Sequence, residues 1–169
     1  MTADELWREF CNKVKIDAAT PYEAWSFGDG DCSGDELLDL VLQRRKFGTA
    51  SAYDEYVAEN ALDDIPLIGD YSVLLRANGE AACVIKNYDV YIRPFESVPP
   101  FHAYAEGEAD RSLESWRDIH AKFFRPGLES IGRPLNAKSL IVCEKFTLEY
   151  VAESGAAEAE ELFFTVPCT

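Results

Sequence analysis

The sequence predicts a mixed α+β protein, a small antiparallel β-barrel flanked by helices, in one domain over residues 1–169. Three observations predict this class. The 169 residues are 47% hydrophobic and 28% charged, a composition typical of soluble globular proteins. In some segments the apolar residues recur at helical spacing, and in others apolar and polar residues alternate with a period of two. The two kinds of segment do not follow the regular strand–helix–strand order of a parallel sheet.

The first predicted element is a helix over residues 3–14. Its apolar residues recur at helical spacing: Leu6, Trp7, Phe10 and Val14. Thr2, followed three residues later by Glu5, is typical of a capping box, in which each side chain binds the other residue's backbone N–H. We therefore expect this helix to begin at residue 3.

A loop rich in glycine and aspartate, residues 28–34, leads to a second helix predicted over residues 35–45. Ser33 and Glu36 have the spacing of another capping box. The loop begins like a calcium-binding loop, but its twelfth position is Leu40, which cannot supply the carboxylate that such loops require. We therefore expect no calcium site there.

The hydrophobic period then changes to two residues, which is typical of β-strands. Residues 71–76 and 82–86 flank an Asn-Gly dipeptide that begins at Asn78 and favours a tight hairpin turn. Residues 88–93 are predicted to continue the second strand. Residues 139–151 are predicted to form the last long strand.

A longer helix is predicted to follow Ser112, with this apolar face: Leu113, Trp116, Ile119, Phe123 and Phe124. Residues 97–107 before it are expected to be irregular or to form a short helix. Residues 153–161, rich in alanine and glutamate, are expected to lie at the surface. The apolar residues 162–164 are expected to pack on the barrel or to contact a second copy, so monomer and homodimer both stay open.

The net charge of −15 opposes general attraction to phosphate backbones. We therefore expect no binding to duplex DNA. Any contact with nucleic acid must come from a local basic patch, and the compact one in the sequence is Arg44-Arg45-Lys46. A solvated helix end is the favoured explanation of that patch, since charge runs usually form solvated surfaces.

No apolar run is long enough to span a bilayer, and the acidic N-terminus lacks the pattern of a secretory signal. We therefore expect a cytoplasmic protein without a membrane partner. The five cysteines are scattered and form no Cys-x-x-Cys pair, which predicts reduced thiols. Neither His102 nor His120 has a metal-ligating neighbour at short spacing, so we expect no metal and no cofactor.

Two short segments carry candidate chemistry. Lys46 precedes Thr49 by three residues, with the lysine at a predicted helix end and the threonine on a predicted strand. A lysine acts as a base only in its neutral form, and it can then activate a hydroxyl as a nucleophile. Glu106, followed by glycine in an aromatic-rich turn, can hold a proton or a ligand amine. An ordinary surface turn is the alternative, and His120 is expected to be a packing or surface residue.

Five segments in one order resemble bacterial ASCH-domain proteins: residues 25–29, 35–42 with 46–51, 69–72, 106–116 and 142–146. The resemblance covers roughly residues 20–150. It implies a PUA-like β-barrel with a helix-lined cleft and an RNA-associated role. The segments before and after it would be an N-terminal helix and a C-terminal extension.

One branch of the ASCH family deacylates N4-acylated cytidines with a lysine, a threonine and a glutamate. Its lysine and threonine are spaced like Lys46 and Thr49, and its His-Ala-x-x-Glu segment matches residues 102–106. The resemblance thus implies that Thr49 is the nucleophile, Lys46 its activating base, and Glu106 a proton carrier or substrate anchor. This chain departs from that branch in being longer at both ends.

Three functions remain open on these grounds. The first is binding of a nucleoside or of single-stranded RNA, by stacking on aromatic residues and by contacts from cations. The candidate binding residues are Arg45, Ser51, Tyr53, Tyr56, Tyr104 and Arg111. The second is hydrolysis of acylated cytidine-type nucleosides. The third is a ribonuclease in which Lys46 stabilises a charged transition state.

Overall fold

The computed structural model describes residues 1–28 and 32–152. In chain order the elements are helix α1 (Ala3–Val14), strand β1 (Glu23–Trp25), helix α2 (Cys32–Leu42), strand β2 (Gly48–Ala52), helix α3 (Tyr53–Ala58), strand β3 (Tyr71–Leu75), strand β4 (Ala81–Pro94), helix α4 (Pro100–Glu106), helix α5 (Leu113–Ser130) and strand β5 (Leu140–Val151). Two short 3-10 helices cover Leu62–Asp64 and Phe95–Ser97. The predicted α+β class is confirmed.

The five strands form one sheet in the order β1-β3-β4-β5-β2. Strands β3 and β4 pair antiparallel, as do β2 and β5, whereas the short β1 joins β3 in parallel. The predicted hairpin is confirmed, and residues 88–93 do continue its second strand. Strand β1 and helix α3 were not predicted, because three- and six-residue elements carry too little periodicity to be recognised.

The chain forms two compact units, each assembled from segments distant in sequence. Of the described residues, the first contains those within Met1–Lys46, Gly69–Lys86 and 146–152. The second contains Phe47–Ile68 and Asn87–Lys145. The single domain over residues 1–169 stays a prediction.

Helix α1 supplies much of the core of the first unit. Its buried residues pack with residues of β3 and β4 and with the residue that follows β5: Leu6, Trp7, Phe10, Cys11, Val73, Ala81, Val84 and Ala152. The predicted capping box is present, since Thr2 accepts from the N–H of Glu5 at 3.3 Å and donates its own N–H to the Glu5 carboxylate at 2.8 Å. Val14, placed on the apolar face by its spacing, is instead 44% exposed at the last position of the helix.

Helix α2 differs from its prediction at both ends. It begins at Cys32, so Ser33 lies inside the helix and the predicted capping box with Glu36 is wrong. It ends at Leu42, because Arg44 adopts a left-handed conformation with φ of 59°. Residues 29–31 lie outside the described residues, so the exclusion of calcium from this loop stays a prediction.

Helix α5 supplies the core of the second unit. Ser112 caps it by accepting from the N–H of Ser115 at 3.1 Å. Its buried residues are Trp116, His120, Phe124 and Leu128, an i, i+4 series. The prediction that Phe123 lies on the buried face is wrong: it is 60% exposed, because the buried stripe turns away from it along that series.

Three cysteines, Cys11, Cys83 and Cys143, are buried and form no disulfide. Burial raises the pKa of Cys83 to about 12 and has the same effect on Cys143, where the Glu106 carboxylate adds to it. These thiols are therefore protonated at neutral pH. Within the described ranges, no helix is both long and apolar enough to cross a membrane. The predictions for residues 153–161 and 162–164 fall outside the described residues.

The β3–β4 turn yields a test of the fold. Gly79 has φ of 84°, and a Cβ added there would have no atom within 4 Å, so only backbone strain opposes a side chain. We expect Gly79→Ala to lower the free energy of unfolding by about 1 kcal/mol. Gly79→Asn should cost less, because asparagine tolerates the left-handed region. Urea denaturation of both variants measures this, and equal stability of Gly79→Ala and the parent would contradict it.

Candidate functional site

Helix α4 has a buried polar side and an exposed aromatic side. Pro100 occupies its first turn, where the missing N–H costs nothing. Gly107, left-handed with φ of 75°, ends it. His102 and Glu106, one turn apart, are 0% and 1% exposed. This seven-residue helix therefore has two distinct sides, a buried side and a solvent-exposed side.

The carboxylate of Glu106 is the centre of the buried side. Its Oε1 accepts a hydrogen bond from Nε1–H of Trp116 at 3.0 Å. Nε2 of His102 lies 3.0 Å from the same oxygen, and Nε2 of His120 lies 3.3 Å from it. Both histidines of the chain therefore lie against one buried carboxylate. We call Glu106, His102, Trp116 and His120 the carboxylate cluster.

Ring packing holds the carboxylate cluster in place. The rings of Trp116 and His120 stack at a centroid distance of 4.3 Å and an angle of 16°. His102 meets Trp116 edge-on at 6.0 Å and Tyr91 edge-on at 5.9 Å. Nδ1 of His120 lies 3.0 Å from the carbonyl oxygen of Trp116, which fixes the orientation of that ring. Nδ1 of His102 is buried and has no hydrogen-bond partner among the described residues.

Two members of the carboxylate cluster, together with Glu108, also form a candidate metal-binding group. Ligand atoms of Glu106, Glu108 and His120 all lie within 4.8 Å of one another. The expectation of no metal was based on spacing along the sequence, and that spacing cannot show residues that α4 and α5 bring together. This group can hold a proton or a divalent cation between its carboxylates and its imidazole.

The solvent side of α4 carries an aromatic patch, which we define as Phe47, Phe101 and Tyr104. Phe101 and Tyr104 are 54% and 48% exposed, and their rings stack at 6.2 Å with an angle of 22°. Phe47 lies 6.3 Å from each of those two rings. Adjacent large aromatic side chains this exposed are typical of interaction sites.

Two cations lie on the aromatic patch. The guanidinium of Arg111 lies 3.7 Å above the ring of Tyr104, and its Nε–H donates to the carbonyl oxygen of that residue at 2.9 Å. Nζ of Lys145 lies 5.0 Å from the ring of Phe101, but it also forms a 2.7 Å ion pair with Asp89. Arg111 has φ of 64°, an uncommon conformation for a residue with a side chain. The backbone at Arg111 therefore adopts a strained conformation, at the residue whose side chain contacts the patch.

Thr49 lies on β2, as predicted, and is half-buried. The strand is joined to α4, since the N–H of Phe47 donates to the carbonyl oxygen of Ala105 at 2.8 Å. Gly48 makes this approach possible, because a Cβ there would lie 3.1 Å from the Cβ of Ala105. Thr49 pairs with Glu144 of β5, a buried carboxylate that accepts from the Asn87 side chain at 2.8 Å.

The other predicted site residues are more scattered. Lys46 belongs to the first unit, is 2% exposed, and has its Nζ 5.2 Å from the ring of Phe27. Arg45 lies beside it in sequence and is partly exposed. In the second unit, Ser51 forms a 3.0 Å hydrogen bond with the hydroxyl of Tyr56. Tyr53 starts α3 and is half-buried.

Several residues of the site were not predicted from the sequence: His102, Trp116, His120, Glu108, Phe101, Lys145, Asn87 and Glu144. One signal was available for the four members of the carboxylate cluster, of which Glu106 had been predicted. His102 precedes Glu106 by four residues, and Trp116 precedes His120 by four, so each pair shares one helix face. Which face is buried depends on contacts between helices, and the sequence does not specify those directly.

Comparison with known proteins identifies the family. The ASCH-domain family model matches residues 23–150. The crystal structure of protein EF3133 from Enterococcus faecalis V583, described under the family model DUF984, is similar with a TM-score of 0.78 and 29% identity, over 98% of this chain and 96% of that one. An ASCH domain from Lactobacillus crispatus JV V101 is similar with a TM-score of 0.76 and 24% identity, over 86% and 95%. Functionally curated proteins give no match. Because the family model spans most of the sequence, this chain belongs to the ASCH-domain family.

Proposed function

We propose that this ASCH-domain protein binds a nucleoside or a short stretch of single-stranded RNA on the aromatic patch of α4. The observation that carries the proposal is the exposed, stacked pair Phe101 and Tyr104 with the Arg111 guanidinium on the tyrosine ring. Bases stack on such aromatic faces, and arginine adds contacts to both the bases and the phosphates.

The charge of the protein limits what this patch binds. With a net charge of −15, the surface as a whole repels a long phosphate chain. Arg111 and Lys145 provide local positive charge, and the ion pair of Lys145 with Asp89 offsets part of it. A nucleoside or a few unpaired nucleotides suit this arrangement, whereas a duplex keeps its bases stacked away from the patch.

A second candidate is hydrolysis of N4-acylated cytidine-type nucleosides. The observation in its favour is that Lys46 and Glu106, two of the three residues implied by the ASCH resemblance, are 2% and 1% exposed. Burying an ionisable group is costly, and such groups concentrate at functional sites. The exposed aromatic patch gives this candidate no direct support, so we place it second.

The ASCH resemblance assigns one role in the hydrolytic mechanism to each residue. The Thr49 hydroxyl attacks the amide carbonyl and Lys46 takes its proton. The carbon–nitrogen bond then breaks, and a proton reaches the leaving amine of cytidine while Glu106 orients that amine. Water next cleaves the threonine ester, which releases the carboxylic acid and regenerates the hydroxyl.

The binding proposal predicts that the aromatic patch is needed for affinity. We expect Tyr104→Ala and Phe101→Ala to weaken binding of a labelled single-stranded RNA of about six nucleotides, because each removes a stacking face worth about 1–3 kcal/mol. That corresponds to roughly 5- to 150-fold in Kd. Fluorescence anisotropy measures it, with the same RNA annealed to its complement as a weaker ligand.

Phe123→Ala is the matched control, since Phe123 is an equally exposed aromatic that lies outside the patch. It should leave Kd unchanged. Equal losses in all three variants, or no binding by the parent protein, would contradict the proposal. Shortening of the RNA on a gel, abolished by Lys46→Ala, would favour the ribonuclease alternative instead.

The hydrolytic candidate predicts that Thr49→Ala abolishes release of cytidine from N4-acetylcytidine, because the attacking hydroxyl is lost. Thr49→Ser should retain part of the activity, and Lys46→Ala should lose it. Chromatography of the products measures the rates. Thr147→Ala, a threonine on β5 outside the site, should leave them unchanged. Turnover that survives Thr49→Ala would remove this residue from the mechanism.

A further inference from the structure

The candidate metal-binding group brings two carboxylates and an imidazole to one point. Ligand atoms of Glu106, Glu108 and His120 lie within 4.8 Å of one another, and no other histidine, cysteine and acidic side chains of the described residues converge in this way. Glu106 ends α4, Glu108 lies on the bend after Gly107, and His120 belongs to α5. The three side chains therefore meet because α4 and α5 pack together.

A backbone contact sets which nitrogen of His120 faces the group. Nδ1 lies 3.0 Å from the carbonyl oxygen of Trp116, and because a carbonyl only accepts, Nδ1 carries the hydrogen of the neutral ring. The lone pair of that ring is then on Nε2, the nitrogen that faces Oε1 of Glu106. Histidines that bind metal ions are oriented in the same way, since their other ring nitrogen donates to a carbonyl or a carboxylate.

The distance between the facing atoms suits two ligands of one ion. Nε2 of His120 lies 3.3 Å from Oε1 of Glu106, whereas N–H···O hydrogen bonds favour roughly 2.7–3.2 Å. Two atoms that each bind a tetrahedral ion at about 2.1 Å lie about 3.4 Å from one another. Glu108 is half-buried on a bend of the chain, so rotation of its side chain can bring its carboxylate to the same ion.

The surroundings of Glu106 are also those of a metal-ligating carboxylate. Its Oε1 accepts from Nε1–H of Trp116 at 3.0 Å and lies 3.0 Å from Nε2 of His102. Ligating carboxylates are commonly oriented by hydrogen bonds from groups behind them. Two carboxylates bind a metal in their ionised form, and a divalent ion balances their two negative charges in this buried place.

We propose that Glu106, Glu108 and His120 bind one divalent transition-metal ion. Two carboxylates and one imidazole suit Zn²⁺ or Mn²⁺, whereas Mg²⁺ and Ca²⁺ prefer oxygen ligands and Cu⁺ prefers sulfur. Three protein ligands leave a fourth position of a tetrahedral ion for water or for an oxygen of a bound molecule. The ion would also tie the end of α4 to α5. This site rests on neither RNA binding nor nucleoside hydrolysis.

The first test is calorimetric titration of the full chain, without a histidine tag, after EDTA treatment and transfer to buffer without chelator. Titration with ZnCl₂ should show saturable binding of one ion per chain. Titration with MnCl₂ should show the same stoichiometry, and it tests for zinc held by cysteines, since Mn²⁺ prefers oxygen and nitrogen to thiolate.

Glu108→Gln tests the site with the least effect on the fold, because Glu108 is half-buried and lies outside the helices. We expect it to weaken binding of both ions by at least about tenfold, since loss of a ligand costs at least as much as loss of a group that orients one. Glu129→Gln removes an exposed carboxylate of α5 and is the matched control, which should bind like the parent. Circular dichroism checks that both variants are folded.

The second test is NMR of the full chain labelled with ¹⁵N at the histidine rings. The chain has two histidines and hence four ring nitrogens. One equivalent of ZnCl₂ should shift the signal of Nε2 of His120 and leave its Nδ1 of the protonated type. His120→Gln assigns these two signals by removing them.

Three results would each overturn the proposal: no saturable binding by the parent, equal affinity of the parent and Glu108→Gln, or signals of His120 that do not respond to zinc. The second and third would mean adventitious binding to the acidic surface only. None of these measurements uses RNA or a nucleoside. The metal site can therefore fail while the proposed function stands, and a confirmed site in a protein that binds no nucleoside or RNA would remove the proposed function alone.

Discussion

The burial of one carboxylate constrains much of the second unit. Glu106 is 1% exposed, and a buried carboxyl group costs free energy unless polar groups compensate for the lost contact with water. The compensation comes from α4 itself through His102, and from α5 through Trp116 and His120. Helix α5 must therefore present its 116–120–124–128 stripe to the interior. Phe123 lies outside that stripe of α5 and is therefore exposed.

The same constraint fixes the aromatic patch. Helix α4 has seven residues, bounded by Pro100 at its first turn and by the left-handed Gly107. Once Glu106 points inward, the 3.6-residue period requires that Phe101 and Tyr104 point outward. The bend after Gly107 then returns the chain so that Arg111 lies against Tyr104. A ligand stacked on the patch would thus rest on a helix whose orientation the buried cluster holds.

Local signals in the sequence were enough for the elements that depend on neighbouring residues alone. The Thr2–Glu5 capping box and the Asn-Gly turn at Asn78 are of this kind, and both are present. The start of α2 does not depend on neighbouring residues alone. Gly34, in its first turn, lies so close to the backbone of Phe27 that a Cβ would be 2.2 Å from the carbonyl oxygen of that residue. The role of His120 likewise depends on contacts between α4 and α5. Family resemblance pointed to Glu106, but it could not indicate the groups that surround it.

Under the binding proposal, the charge of the protein limits the size of the ligand on the aromatic patch. A single strand contacted at Z phosphates loses affinity with salt at a slope of about 0.7 Z. Since Lys145 shares its charge with Asp89 and Arg111 is the other cation on the patch, Z is small, and stacking must supply most of the affinity. Longer strands add phosphates that the net charge of −15 repels without adding stacking faces. If the proposed binding function holds, this arrangement favours a nucleoside or a few nucleotides over a polymer, and the binding would depend only weakly on salt.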